Sequence, residues 1–303
     1  MELQQMRYVV AVAETSNFTR AAEQCLVVQS ALSHQIARLE RELGAKLFER
    51  TSRRVRLTPA GEAFLPAARQ ALDAAERARA EVAATAGEIR GRLAVGAIST
   101  VAAVDLPAVL EQFHLRHREV RISLRTSPSE ELVERVRQGT LDVAFLGLPL
   151  GVRPQGVRGR ELARGDLVAV VALDHPLAGR EHVDLHRLAE ETFVDFPAGT
   201  AGRAHSDAAF AAAGVRREVA FEVTTADLLT RLIRHGLGIG MLPGAFVSGL
   251  PGLRVLRLRD AAARMEHLIW SRFPPSPAAA AFLSVLGVPA AESSGSPDDE
   301  PGP

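Results

Sequence analysis

The 303-residue sequence predicts an α/β chain assembled from three successive stretches. Three observations lead there. Residues 1–60 carry apolar positions at helical spacing, broken by turn residues. From Thr58 to about Glu88 an Ala-rich run meets no strong breaker except Pro66. From Leu93 onward, short apolar runs alternate with helical patterns, as in βαβ units with a mainly parallel sheet. A hydrophobic content of 47% with 24% charged residues excludes wholesale disorder. No apolar run approaches the ~20 residues a membrane helix needs.

Leu3, Met6, Val9, Val10 and Ala13 mark a first helix. Ser16-Asn17-Phe18-Thr19 offers caps for a short second helix, Arg20 to Leu26. After a Val27-Val28 turn, a third helix runs from Gln29 to about Leu43, with Leu32, Ile36, Leu39 and Leu43 on one face and Gly44 closing it. A tight turn between the second and third helices is the helix-turn-helix pattern. Glu49 to Leu57 reads as a small β-ribbon, and Thr58-Pro59 as a helix start.

The long helix would span roughly 45 Å. Phe64, Ala68, Ala71, Ala75, Ala78 and Val82 lie close to one stripe, and a helix of that length is expected to seek a partner helix from a second copy of the chain. Beyond it, strands are expected at 93–97, 121–125, 142–146, 167–172, 192–195, 219–223, 239–242, 253–256 and 267–270. Helices are expected at 101–116, 130–138, 202–213, 226–235 and 278–286. The strand–helix order restarts near Asp166, which divides this part into two lobes, about 91–165 with 266–290 and 166–265. The domain reading is therefore 1–58, 59–90 and 91–290, followed by a polar tail, 291–303, expected to be disordered.

The formal net charge is zero, but residues 1–60 carry nine Lys and Arg against six Glu. Seven of those cations fall between Arg38 and Arg56, which suggests an anionic polymer as partner. Lys46 is the only lysine, so the excess of arginine reflects composition rather than function. Cys25 is the only cysteine, which excludes an internal disulfide and thiolate-cluster zinc, and it reads as a small apolar residue. Met1 to Ala13 has no basic start, apolar run or cleavage site, so the expected location is the cytoplasm. No GxSxG, HExxH or Walker loop occurs. The glycines Gly236, Gly238 and Gly240 precede a strand instead of following one, and His114 and His117 read as exposed polar positions rather than zinc ligands. No enzymatic activity, metal or cofactor is expected.

The order and spacing of particular residues then carry a resemblance. They are Phe18-Thr19-Arg20-Ala21-Ala22-Glu23, Gln29 through Glu40, Leu43 through Arg50, and Arg54 through Gly61. With them go Gly91–Gly96, Gly139–Ala144, His175–Ala178 and Gly236–Pro243. In these the chain resembles the LysR-type transcriptional regulators over nearly its whole length except the tail. The resemblance implies a winged helix-turn-helix, a linker helix and a two-lobed, periplasmic-binding-protein-like (type 2) effector domain. It also implies double-stranded promoter DNA, a small-molecule effector, a homodimer or homotetramer, and RNA polymerase as a further contact. Two positions depart from the family pattern. Val28 stands where Ser or Thr usually precedes the third helix, and His34 stands where a basic residue is frequent.

On this reading, Gln29, Ser30, Ser33 and His34 lie opposite Leu32, Ile36 and Leu39, where the helix meets base edges. Arg38, Arg50, Arg53 and Arg54 complete the expected DNA contacts, the last two at the tip of the wing. In α/β sheets ligands bind beyond the carboxyl ends of strands, where helix N-termini offer N–H groups. Hydroxyls cluster at four such places: Ser99-Thr100, Ser127 and Ser129, Thr200 through Arg203 with Gly202, and Thr224-Thr225. The expected effector is a small organic anion, with Thr100 opening the helix after the first strand and Arg203 supplying charge. A solute-binding protein or enzyme built on the lobes alone is disfavoured by the basic head. A purely architectural DNA binder is disfavoured by the elaborate lobes.

Overall fold

The structure, a computed structural model, describes residues 1–50, 55–259 and 263–289. Arg53, Arg54 and the tail 291–303 lie outside the described residues. The chain forms two compact units, Met1–Glu88 and Ile89–Pro303.

The first unit opens with α1 (Leu3–Thr15), α2 (Phe18–Gln24) and α3 (Gln29–Leu43). The α2 start is set by Asn17, whose Oδ1 accepts from Thr19 N at 2.8 Å and Arg20 N at 3.0 Å. The end of α3 is set by Gly44, at φ 67°. Val9, Val12, Ala21, Leu32, Ile36 and Leu39 form its core. The ribbon is β1 (Phe48–Arg50) against β2 (Val55–Leu57), antiparallel with Phe48 opposite Leu57. Thr58 caps α4 (Pro59–Ala84), accepting from Gly61 N at 3.0 Å. Gly61 is required there, because a Cβ would stand 2.1 Å from the Leu47 carbonyl oxygen.

The first part of α4 finds its partner helix within the chain and not in a second copy. Its first turns run along α1, with Arg69 paired to Glu14 at 3.2 Å and Arg7 to Glu76 at 4.0 Å. Ala68 is buried at 1% exposure, and Phe64 packs against the head core. Small side chains let the two helices approach closely, so Phe64 and Ala68 are consumed within the chain. Ala71 and Ala75 are half-buried, whereas Ala78 and Val82 are exposed.

The second unit begins with β3 (Gly91–Ala97), α5 (Leu106–Arg116), β4 (Val120–Thr126), α6 (Ser129–Arg137) and β5 (Val143–Pro149). It continues through β6 (Arg158–Ala172), β7 (His182–Val183), α7 (Leu185–Leu188), β8 (Thr192–Asp195), α8 (Ala201–Ala212) and β9 (Glu218–Glu222). It closes with α9 (Ala226–Arg234), β10 (Gly240–Pro243), α10 (Gly244–Val247), β11 (Leu253–Leu258), β12 (Ala263–Trp270) and α11 (Pro277–Val285). The main sheet has the order β4-β3-β5-β12-β6-β11-β7, with β10 also on β6, and β8 pairs β9 separately.

The expected mainly parallel sheet is corrected to a mixed one. β3 pairs β4 and β5 in parallel, but β12 runs antiparallel to β5 and β6, and β10 and β11 run antiparallel to β6. β6 is the reason. Its first half, Arg158 to Asp166, pairs with β12, and its second half, from Leu167, pairs with β10 and β11. One long strand thus passes from the first lobe to the second, and β12 brings the chain back. Leu93, Phe113, Phe145 and Phe282 fill the first lobe, and Phe193, Phe210, Ile239 and Leu256 the second.

Candidate functional site

In the head, the packing of Leu32, Ile36 and Leu39 turns the opposite face of α3 outward. Gln29, Ser30, His34 and Arg38 are exposed on that face and Ser33 is half-buried. Arg38 lies 3.9 Å from Glu2, and Arg50 ends β1. Glu40, at 3% exposure, is a residue the sequence reading missed. Its Oε1 accepts from the backbone N–H of Leu47 at 2.9 Å and of Phe48 at 3.3 Å, and its Oε2 takes Lys46 Nζ at 2.9 Å. The carboxylate therefore ties the end of α3 to the root of the ribbon. An acid near the end of a helix, eight residues ahead of a strand, gives no local sign of that role.

In the second unit, a cavity of about 270 Å³ opens between the lobes. Ser99, Thr100, Ser127, Ser129 and Arg264 line it from one side, with Phe196, Thr200, Gly202, Thr224 and Thr225 from the other. The structure thus brings the four predicted hydroxyl clusters to one place. Three helices begin on its rim: α6 at Ser129, α8 behind its cap Thr200, and α9 behind its cap Thr225. Ser99 Oγ accepts from Ala226 N at 3.3 Å and so bonds one lobe to the other.

Two assignments change. Thr100 does not open a helix. The segment 101–104 is irregular, and α5 starts at Leu106 behind the cap Asp105, with Pro107 in its first turn. Thr100 is instead buried at 5% exposure, its Oγ1 accepting from Arg264 Nη1 at 3.0 Å and its carbonyl from Arg264 Nη2 at 2.9 Å. Glu266 completes this unit. It bonds Arg264 Nη2 and accepts from Ala102 N at 3.1 Å and Ala103 N at 2.9 Å. Burial pulls the Arg264 guanidinium below its usual range, and Glu266 opposes that pull. Of the five N–H bonds of a guanidinium, two of Arg264 meet no protein acceptor among the described residues.

Arg203 is not on the cavity wall. It donates to Asp207 at 2.8 Å, to Glu222 at 3.1 Å and to the Phe196 carbonyl at 3.3 Å. Beside it Arg217 packs against both the Phe193 and Phe210 rings, 4.7 and 4.8 Å from their centroids, and reaches Asp195 at 2.7 Å and Asp207 at 2.8 Å. Burial raises the Asp195 carboxyl, and Arg217 and Ser206 only partly offset it. The expected charge of Arg203 is therefore spent on neighbouring acids, and Arg264 is the cation that faces the cavity. Sequence spacing held one clue to it: Arg264 and Glu266 stand two apart on a strand, which puts both on one face. Ser129 also lines the cavity with its hydroxyl engaged, donating to the Gly147 carbonyl at 3.1 Å.

Comparison with known proteins matches both units. The family model for the bacterial regulatory helix-turn-helix protein, lysR family, covers residues 3–62. That for the LysR substrate binding domain covers residues 86–287. The HTH-type transcriptional regulator ShiR of Corynebacterium glutamicum (strain R) is 33% identical over 277 residues, 90% of this chain and 93% of that protein. The Hca operon transcriptional activator HcaR of Escherichia coli (strain K12) is 33% identical over 290 residues, 94% of this chain and 97% of that protein. Among solved structures, full-length CbnR complexed with its target DNA superposes with a TM-score of 0.72 at 28% identity, over 95% of this chain and 99% of that one. No helix among the described residues is long and apolar enough to cross a membrane. With a helix-turn-helix head, a two-lobed effector unit and family matches to each, the chain belongs to the LysR family of DNA-binding transcriptional regulators.

Proposed function

We propose that this regulator responds to a small organic anion held between its two lobes, and that the ligand changes how a pair of heads engages promoter DNA in the cytoplasm. The observation that carries the reading is the cavity itself. One buried guanidinium with N–H bonds to spare and three helix N-termini face a single space. A carboxylate answers both features. The hydroxyls of Ser127, Thr224 and Thr225 suit a ligand that also carries hydroxyl or carbonyl groups.

In the head, Gln29, Ser30, Ser33 and His34 would read bases, and Arg38, Arg50, Arg53 and Arg54 would meet phosphate or the minor groove. The exposed Ala78 and Val82, with the half-buried Ala71 and Ala75, are the part of α4 left to pair with a second copy. RNA polymerase is the partner through which bound regulator would act. The chain has no expected catalytic role or cofactor.

The test is a thermal-shift screen of the full chain against small mono- and dicarboxylates. The reading expects at least one to raise the melting temperature and to alter binding to a duplex selected by the protein. A panel in which only neutral compounds act would overturn the anionic assignment.

A further inference from the structure

We infer that Val28 reads a thymine methyl group, so that operator choice rests in part on an apolar contact at the entry to α3. The turn between α2 and α3 alternates. Val27 packs against the head core, while Leu26 and Val28 point outward at 92% and 67% exposure. The backbone enforces this. Leu26 sits in the left-handed region at φ 56°, the Val27 N–H donates to the Ala22 carbonyl at 2.9 Å, and Val28 is extended at φ −75°, ψ 144°. Val28 therefore stands at the N-cap of α3 with no side-chain cap bond, beside the exposed Gln29 and Ser30.

The first residues of a recognition helix are those that reach base edges. An isopropyl group there has no donor for a phosphate and no partner for the polar base edges. The apolar feature the major groove offers is the C5-methyl of thymine, and β-branched or methyl-bearing side chains recognise it by contact. A Val on that rim thus exchanges the backbone-positioning bond that a hydroxyl would make for a sequence-reading contact. This inference rests on the reading of α3 as the helix that meets bases.

The experiment uses the full chain and the tightest duplex it recovers from a random-sequence pool. That duplex is then synthesised with uracil replacing, one position at a time, each thymine of a half-site. Uracil removes only the methyl. Burying one such group against an isopropyl is worth about 0.8 kcal/mol, so one uracil position should weaken wild-type binding about fourfold per half-site. Val28→Ser should bind thymine and uracil duplexes alike at that position, which separates the lost contact from any effect of uracil on DNA stiffness. A recovered half-site without thymine, a wild type indifferent to every uracil, or an unchanged thymine preference in Val28→Ser would each overturn the inference. Gln29→Ala distinguishes failure of the wider reading. If it leaves the recovered sequence unchanged, α3 is not the reading helix at all.

Discussion

Arg264 and Thr100 are joined twice, Nη1 to the hydroxyl at 3.0 Å and Nη2 to the carbonyl at 2.9 Å, across 164 residues of sequence. The pair fixes the loop after β3 against β12 and makes one wall of the cavity. Replacing Thr100 by Val leaves the buried guanidinium short of an acceptor. Hydrogen bonds to charged groups are worth about 1.5–3 kcal/mol, so urea unfolding of Thr100→Val should show a loss of that size. Thr100→Ser should restore most of it. A Val variant as stable as wild type would mean that the pair does not hold the wall.

Arg203 belongs to an acid-rich network, and pH should reveal it. Burial alone would raise the Asp207 carboxyl, but hydrogen bonds from Arg217 and Arg203 prevail and hold it below the ordinary carboxylate range. A carboxylate depressed in the folded state stabilises the fold above its unfolded-state pKa, and that contribution is lost as pH falls through the folded value. Arg203→Ala removes one of the two cations. The midpoint of acid unfolding should therefore move to higher pH, with little change in ligand affinity at neutral pH. Unchanged acid stability with a large loss of ligand binding would return Arg203 to the cavity.

Glu40 should matter to the head out of proportion to its visibility. Glu40→Ala strips two backbone N–H groups at the root of the ribbon of their acceptor, and each buried unsatisfied group costs about 1–3 kcal/mol. DNA binding at a fixed salt concentration should weaken as temperature rises, well before the second unit melts. Differential scanning calorimetry would separate the two transitions. A single transition identical to that of wild type would exclude the tie between α3 and the ribbon.

The long helix offers a contrast between two positions about four turns apart, Ala68 and Val82. Ala68→Glu forces a charge into the head core and should unfold the head. Val82 is 70% exposed in the single chain, so Val82→Glu should leave the head folded and should instead convert dimer to monomer in light scattering. A Val82→Glu chain that stays dimeric would place the seam elsewhere.

The head was legible in sequence because its signals are local. Asn17, Gly44 and Thr58-Pro59 are caps and stops that act within a turn of where they stand. The start of α5 was misjudged although Asp105 and Pro107 mark it, since the apolar run from Val101 looked helical without them. The first half of β6 was missed for a different reason. Arg158 to Asp166 is polar and only half-buried, and it is a strand because β12 lies alongside it. The same pairing buries Arg264, so the cation of the cavity comes from a contact between distant segments, and its spacing from Glu266 is the one sign of it nearby in the chain. The hydroxyl clusters were found because strand ends and helix starts recur by rule; which of those hydroxyls are free depends on partners such as Gly147 and Arg264.

The most direct test of the account is calorimetric titration of the full chain with the carboxylate that stabilises it best and with the neutral amide of the same compound. A ligand whose carboxylate meets the Arg264 guanidinium gains about 1.5–3 kcal/mol from hydrogen bonds to a charged group, so the acid should bind at least about tenfold more tightly than the amide. Equal affinities for acid and amide would contradict the claim that the cavity between the lobes recognises an anion.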